Sequence, residues 1–310
     1  MKYLIIGAGG TGGTTAAKLA QAGKQVTLLA RGKNLKPLRE NGITIRHLWD
    51  GTSVTTAIHA VSEEEYLSLP GSERADVILV CVKGYSLPSI LPFLQKAASG
   101  NTTVLPVLNI YGTGAKLQES LPGADVLDGC IYVSAAKEAP GVLVQHGPIH
   151  RIVFGPRNHD ISRSVYQQIA QDFNDSGISG ELSANIQRDA LEKFSYVSPI
   201  GGAGLYCGAT AGDFQKEGPA RDLFVRMIRE VASLADAMGC PFEKDYVPVN
   251  LEILSHLSAD ATTSMQRDVM EGHPSEIDGL VYEVVRLGQH WQVPVPAYEM
   301  VAAELKKRGL

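Results

Sequence analysis

No stretch of the 310-residue chain approaches the roughly 18–20 consecutive apolar residues that a bilayer-spanning helix needs, so no membrane partner is expected. Positive charge is not in excess either. The 28 Lys and Arg stand against 33 Asp and Glu, a net charge of −5, which argues against the basic stripe of a nucleic-acid binder. An anionic ligand must then be held by local cations rather than by the field of the whole protein. Cysteine is scarce: Cys81, Cys130, Cys207 and Cys240 lie far apart and form no C-x-x-C. A disulfide framework and a thiolate metal site are both unexpected, and buried free thiols in a reducing compartment are expected instead. The eight histidines are scattered, and His146 and His150 flank a Gly147-Pro148 pair with no third ligand nearby, so no metal site is assigned. Repeats and low-complexity tracts are absent. The first residues enter a strand pattern without the charged and apolar regions of a signal peptide, which makes a cytoplasmic location the expectation.

What is present fits a packed protein of about two domains, on a prior of ~150 residues each. Hydrophobic residues make up 44% and charged residues 20% of the chain. The first thirty-one residues carry the most information. Gly7, Gly9 and Gly12 stand in the spacing G-x-G-x-x-G, directly after the strand-like residues 3–6 and at the opening of a helical stretch, 11–22. A second strand over 25–30 would close a βαβ unit. Gly7 permits the tight turn, Gly9 lets the backbone approach a pyrophosphate, and Gly12 lets the helix pack on the strand. The anion would sit on unpaired N–H groups at the positive end of the helix dipole, with Gly10 and Thr11 in the same loop. An NAD site usually places Asp or Glu after the second strand; this chain has Arg31 and, two residues on, Lys33. A guanidinium matches a 2′-phosphate bidentately, so NADP(H) is the expected cofactor, although most loop cations are merely solvated.

Further along, short strands are expected within 42–58 and buried ones over 75–82 and 102–108, with a helix over 89–98 between these two. Lys83 and Asn109 follow the two buried strands, at the carboxyl ends where open α/β sheets bind ligands. Residues 131–136, 142–146 and 151–154 read as antiparallel strands with turns at Pro140-Gly141 and Gly147-Pro148. A helix over 162–176 and a short strand or turn up to 182 finish the domain. From 186 onward the pattern is helical, over 188–196, 220–238 and 266–291, the last interrupted at 272–274. The expected fold class is α/β plus all-α: a Rossmann-type domain over 1–182, then a helical substrate and dimerisation domain over 183–310.

Residues 263–279 read Thr-Ser-Met-Gln-Arg-Asp-Val-Met-Glu-Gly-His-Pro-Ser-Glu-Ile-Asp-Gly. Here the chain resembles the ketopantoate reductase family (2-dehydropantoate 2-reductases), which carries Ser-Met, then a glutamine and an aspartate, then Gly-x-Pro-[Thr/Ser]-Glu-Ile-Asp. The resemblance runs end to end, through the glycine loop, Arg31, Val82-Lys83, Asn109, Lys193 and Val293-Pro294-Val295-Pro296. It implies that Lys193 is the general acid that protonates the ketone oxygen as hydride arrives, and that Glu276 holds the substrate hydroxyl and the lysine. It implies a substrate-binding role for Ser264, and for Asn109 a place where cofactor and substrate meet. Lys83 would lie near the nicotinamide ribose. Gly7, Gly9, Gly10, Thr11, Gly12 and Arg31 would bind the cofactor, with Asn109 and Glu276 also touching it.

Ordinary structural duties are compatible with several of these positions. Glu276 suits a helix N-terminus opening near Pro274-Ser275, and Ser264 suits an N-cap for Met265 onward. Three departures from the family bear on the substrate. Val197 and Gly201 stand where it carries asparagines, four and eight residues after the lysine, and Asn109-Ile110-Tyr111-Gly112 replaces an Asn-Gly turn. A site without a partner for a terminal hydroxyl discriminates poorly for it. The expected activity is therefore NADPH-dependent reduction of a small-molecule 2-oxo acid, led by 2-dehydropantoate, with a homodimer left open as the assembly. A D-2-hydroxyacid dehydrogenase of the same superfamily, acting on another branched or aromatic 2-oxo acid, stays open. A non-catalytic dinucleotide sensor is more remote, because a sensor needs only the cofactor half.

Overall fold

The apolar runs of the first 126 residues become six parallel strands in a computed structural model of the chain, which describes residues 1–310. In spatial order these are His59–Val61, Gln25–Leu29, Lys2–Ile6, Val77–Val80, Thr103–Pro106 and Asp125–Val126. The order reverses between Lys2–Ile6 and Val77–Val80, which pair directly. That reversal is the switch point outside which an open sheet of this kind binds its ligand. Every residue of Val77–Val80 and of Thr103–Pro106 is buried, as two-sided coverage of a parallel strand requires.

A second sheet of five strands belongs to the same unit. Val142–Gly155 pairs with Ile43–His47 and Ser179–Leu182 in parallel and with Asp128–Ala139 antiparallel, while Ser53–Thr56 flanks Ile43–His47. The helix Gly10–Gln21 is built of small residues because it lies between the two sheets. A Cβ on Gly12 would come within 2.0 Å of Gly7 O. On the opposite side, one on Gly10 would meet Ala135 O at 2.2 Å and one on Gly13 would meet Leu143 Cδ1 at 2.6 Å.

The expected turn at Gly147-Pro148 is not there. Residues 142–146 and 151–154 belong to one strand, which bulges where its register slips between Gln145 and His150. Asp128–Ala139 runs alongside both halves, and Pro148, which has no amide to offer a ladder, sits in the bulge.

The chain forms two compact units, Met1–Leu108 with Gly112–Ile186, and Asn109–Tyr111 with Gln187–Leu310. The break thus lies four residues beyond 182, and three residues of the loop after Thr103–Pro106 go with the second unit.

The second unit is helical. Its central helix, Ile186–Cys207, runs well past the expected 188–196 and straight through Pro199. It continues because the carbonyl that Pro199 leaves without an amide, that of Ser195, accepts a bond from Asn250 Nδ2 at 3.1 Å. The helix Pro219–Ala237 buries Leu223, Phe224, Met227, Ile228, Val231 and Leu234, an i, i+3/i+4 stripe. Helix Pro296–Lys307 takes its cap from another element: Glu230 accepts from the amides of Ala297 (2.7 Å) and Tyr298 (3.1 Å). The helix expected over 266–291 is broken, as Ser264–Met270 ends before Gly272 at φ 69° and a wide π turn, Asp278–Tyr282, leads into Glu283–Trp291. No helix is long and apolar enough to cross a membrane. Three cysteines are buried thiols, but Cys207, at the end of its helix, is exposed, against expectation.

Candidate active site

In the first unit the glycine loop follows Lys2–Ile6 at the switch point. Gly7 has φ 115°, and a Cβ there would lie 2.6 Å from Cys81 O, so the turn accepts only glycine. Gly9, the residue that precedes the helix, faces open space where its Cβ would be. No side chain caps the helix, and no acidic residue stands in its first turn. The amides of Gly10, Thr11 and Gly12 are thus first-turn donors beside a positive dipole end, the set that an anion requires. Burial pushes the Cys81 thiol up to about 12, so the cysteine beside the loop is a packing group.

Arg31 follows Gln25–Leu29 and is half exposed. Its Nε stands 3.2 Å from Glu63 Oε1 at the start of helix Glu63–Ser68. A surface pair of this kind contributes about 0–1 kcal/mol, so an arriving phosphate can compete for the guanidinium. Lys33 is exposed, whereas Lys83, which follows Val77–Val80, is half buried.

The second unit brings together candidates distant in sequence. Lys193, half buried on Ile186–Cys207 between buried Leu191 and Phe194, donates from Nζ to Asn109 Oδ1 at 2.7 Å. A neutral amide orients the ammonium without adding a second full charge. Glu276 is 5% exposed, and its carbonyl accepts the first helical bond, from the Leu280 amide at 2.9 Å. One turn later, Gly279 lies against Ile110, whose Cδ1 would be 2.4 Å from a Cβ there. The isoleucine that stands in place of the family's glycine thus anchors the Glu276 segment to the residue after Asn109.

Ser264 is not the N-cap. Thr263 is, through a capping box in which its hydroxyl accepts from the Gln266 amide and Gln266 Oε1 accepts from the Thr263 amide. The cap falls on Thr263 because the glutamine stands three residues after it. Ser264 is therefore the first helical residue, half buried.

Lys193, Val197 and Gly201 follow one another at i, i+4 and i+8 and share a helix face, spanning about 12 Å along the axis. Val197 is half buried. The space at Gly201 is taken by Met265, whose methyl would be 2.7 Å from a Cβ there. Ser198 is lost to structure: its hydroxyl donates to Leu280 O and stands 2.6 Å from Tyr298 Oη, all buried. Burial also pushes the Tyr196 phenol up to about 12, and its ring meets Phe224 edge-on. Sequence reasoning passed over Asn250 because it ended the helix at 196; only once the helix runs through Pro199 does the Ser195 carbonyl need a donor from elsewhere.

The family profile described as Ketopantoate reductase PanE/ApbA matches residues 3–159, and its C-terminal counterpart matches 185–309. An uncharacterized oxidoreductase of Bacillus subtilis is 24% identical over 308 residues, covering 99% of this chain and 98% of its own. Among solved structures, 2-dehydropantoate 2-reductase from Methylococcus capsulatus superposes with a TM-score of 0.88 at 23% identity, covering 100% and 97% of the two chains. D-mandelate dehydrogenase in ternary complex with NADH and anilino(oxo)acetate gives 0.85 at 20% identity over the whole of both chains.

Proposed function

Because the chain belongs to the ketopantoate reductase family, a family of oxidoreductases, we propose that it reduces a 2-oxo acid at the expense of NADPH, with Lys193 as proton donor and 2-dehydropantoate as the lead substrate. The observation that carries the proposal is the Lys193–Asn109 bond, which fixes the direction of the Lys193 ammonium. The first unit suits a dinucleotide, since Gly9 leaves room for a pyrophosphate and the uncapped helix supplies donors. Gly7, Gly9, Gly10, Thr11 and Gly12 would hold the phosphates, Arg31 the 2′-phosphate, and Lys83, Asn109 and Glu276 the nicotinamide end. When bound, the dinucleotide supplies hydride to the keto carbon.

The chain's own residues do the rest. Lys193 donates a hydrogen bond to the ketone oxygen and releases the proton as negative charge develops there, while Asn109 keeps Nζ in place. Ser264 binds the substrate, and the buried Glu276 accepts from substrate hydroxyls and holds the position of the lysine. Val197 and the methionine-covered Gly201 give the far wall few polar groups. That wall favours a second reading, in which a branched or aromatic 2-oxo acid competes with 2-dehydropantoate. The fold shared with D-mandelate dehydrogenase is compatible with it.

The test is a panel of 2-oxo acids assayed by NADPH and NADH oxidation, with Lys193→Ala alongside the unchanged protein. General acid catalysis is typically worth ~10²–10⁴ in rate, so the variant should lose at least that much in kcat while its NADPH titration stays unchanged. Activity that survives within a few fold places the acid elsewhere.

A further inference from the structure

The helix that presents Lys193 contains a proline where helices tolerate one least. Pro199 has no amide hydrogen, so the carbonyl of Ser195, four residues earlier, is deprived of its helical partner. Ser195 is completely buried, and a buried carbonyl left open is costly. Asn250, 1% exposed on helix Tyr246–Ser255, closes the gap: its Nδ2 donates to Ser195 O and to Ser195 Oγ, each at 3.1 Å. The Ser195 hydroxyl in turn donates to Glu192 O at 2.7 Å. That oxygen belongs to the peptide group whose nitrogen is Lys193's own. One turn earlier on the same helix as Asn250, Tyr246 donates from its hydroxyl to the Glu192 carboxylate. Helix Tyr246–Ser255 therefore grips the central helix one residue before Lys193 and two residues after it.

We propose that Asn250 is a positioning residue for the reduction. By closing the gap that Pro199 opens, it fixes the peptide planes around Lys193 and so the direction in which Nζ points. This rests on Lys193 being the acid. Asparagine is suited to the task because one amide nitrogen carries two hydrogens and reaches both the carbonyl and the hydroxyl of a single residue. A serine or threonine in its place offers one. The chemistry also explains how the proline is accommodated without a break in the segment that must be held most rigidly.

The proposal makes Asn250 conditional on Pro199, and a pair of variants tests that dependence. Pro199→Ala restores an amide to the Ser195 carbonyl and should itself change little. Asn250→Leu keeps the branching and the number of side-chain heavy atoms and removes the donor. A misplacement of about 1 Å at a reacting group can cost on the order of 10²-fold, so this variant should lose ten- to hundredfold in kcat, with an unchanged NADPH titration. Pro199→Ala/Asn250→Leu should recover most of that loss, because the backbone amide takes over. Asn250→Ser, with a single short donor, should fall between. A kcat of Asn250→Leu within threefold of the unchanged protein, accompanied only by a lower Tm, overturns the proposal, as does a double variant no faster than Asn250→Leu. Where Asn250→Leu fails to fold, Asn250→Ser decides, and an undiminished kcat there refutes the role. Lys193→Ala separates the two ideas. If it retains turnover, the acid assignment falls. If it is inactive while the Asn250 variants are unaffected, only the positioning role falls.

Discussion

Replacing His150 with glutamine should flatten the acid side of the protein's stability profile. His150 is 4% exposed on the strand Val142–Gly155. Its Nε2 stands 3.1 Å from Thr15 Oγ1 on helix Gly10–Gln21, and its Nδ1 has no hydrogen-bond partner. Burial, aided by the charge of nearby Lys18, lowers the imidazole from 6.5 to about 3. Because the folded value is the lower one, the unfolded chain binds the proton first. The stability contributed by a neutral His150 is therefore complete above pH 6.5 and drains away as pH falls toward 3. Each unit is worth about 1.4 kcal/mol, and pH 4.5 lies about two units below the unfolded value, so roughly 2.7 kcal/mol should be gone by then. Urea unfolding of the unchanged protein and of His150→Gln at pH 7.5 and 4.5 measures this. Carboxylates such as Asp172, held low by Lys24 and Tyr3 despite its burial, titrate in both proteins and cancel in the difference. Glutamine retains a group that can bond the Thr15 hydroxyl. The unchanged protein should lose about 2.7 kcal/mol more than the variant between the two pH values. Parallel profiles, differing by less than about 0.5 kcal/mol, would refute a buried neutral imidazole at this position.

Two further substitutions probe cofactor and substrate. Arg31→Asp should weaken NADPH far more than NADH, because a charge-assisted contact to the 2′-phosphate becomes a repulsive one; equal constants in the unchanged protein that stay equal in the variant would sink the NADPH assignment. Val197→Asn should raise kcat/KM for 2-dehydropantoate relative to 3,3-dimethyl-2-oxobutanoate, which differs only in lacking the hydroxyl. A single hydrophobic-pocket difference is worth ~1–3 kcal/mol, and a ratio that does not move would remove Val197 from the substrate wall.

Local sequence was most informative where one short segment carries a whole physical task. Gly7 and Gly12 could be read at once, because a tight turn and a close packing contact each demand glycine at a fixed offset. The buried parallel strands were legible because a strand covered on both faces has to be apolar throughout. The motif ending in Glu276, Ile277 and Asp278 identified the family, although nothing in it says what those side chains touch.

The rest depended on partners far away in the chain. Gly10 looks like one more loop glycine until Ala135 O is found against it, and Gly147-Pro148 looks like a turn until Asp128–Ala139 runs past both flanks. Ser264 has the right chemistry for a cap, but Gln266 awards the cap to Thr263. Ser198, a polar group that directly follows Val197 in sequence, is consumed by Leu280 and Tyr298. The sequence alone determined the α/β-then-helical fold class, the glycine turn of the first βαβ unit and the identity of the chemical groups, because these follow from local periodicity, glycine geometry and residue type. Only the tertiary structure decided that Asn109 would hold Lys193, that Met265 would cover Gly201, and that a helix could pass through Pro199 on the strength of Asn250. Those outcomes depend on which donors and side chains reach one another across 55 to 84 residues of chain, a distance over which no local pattern speaks.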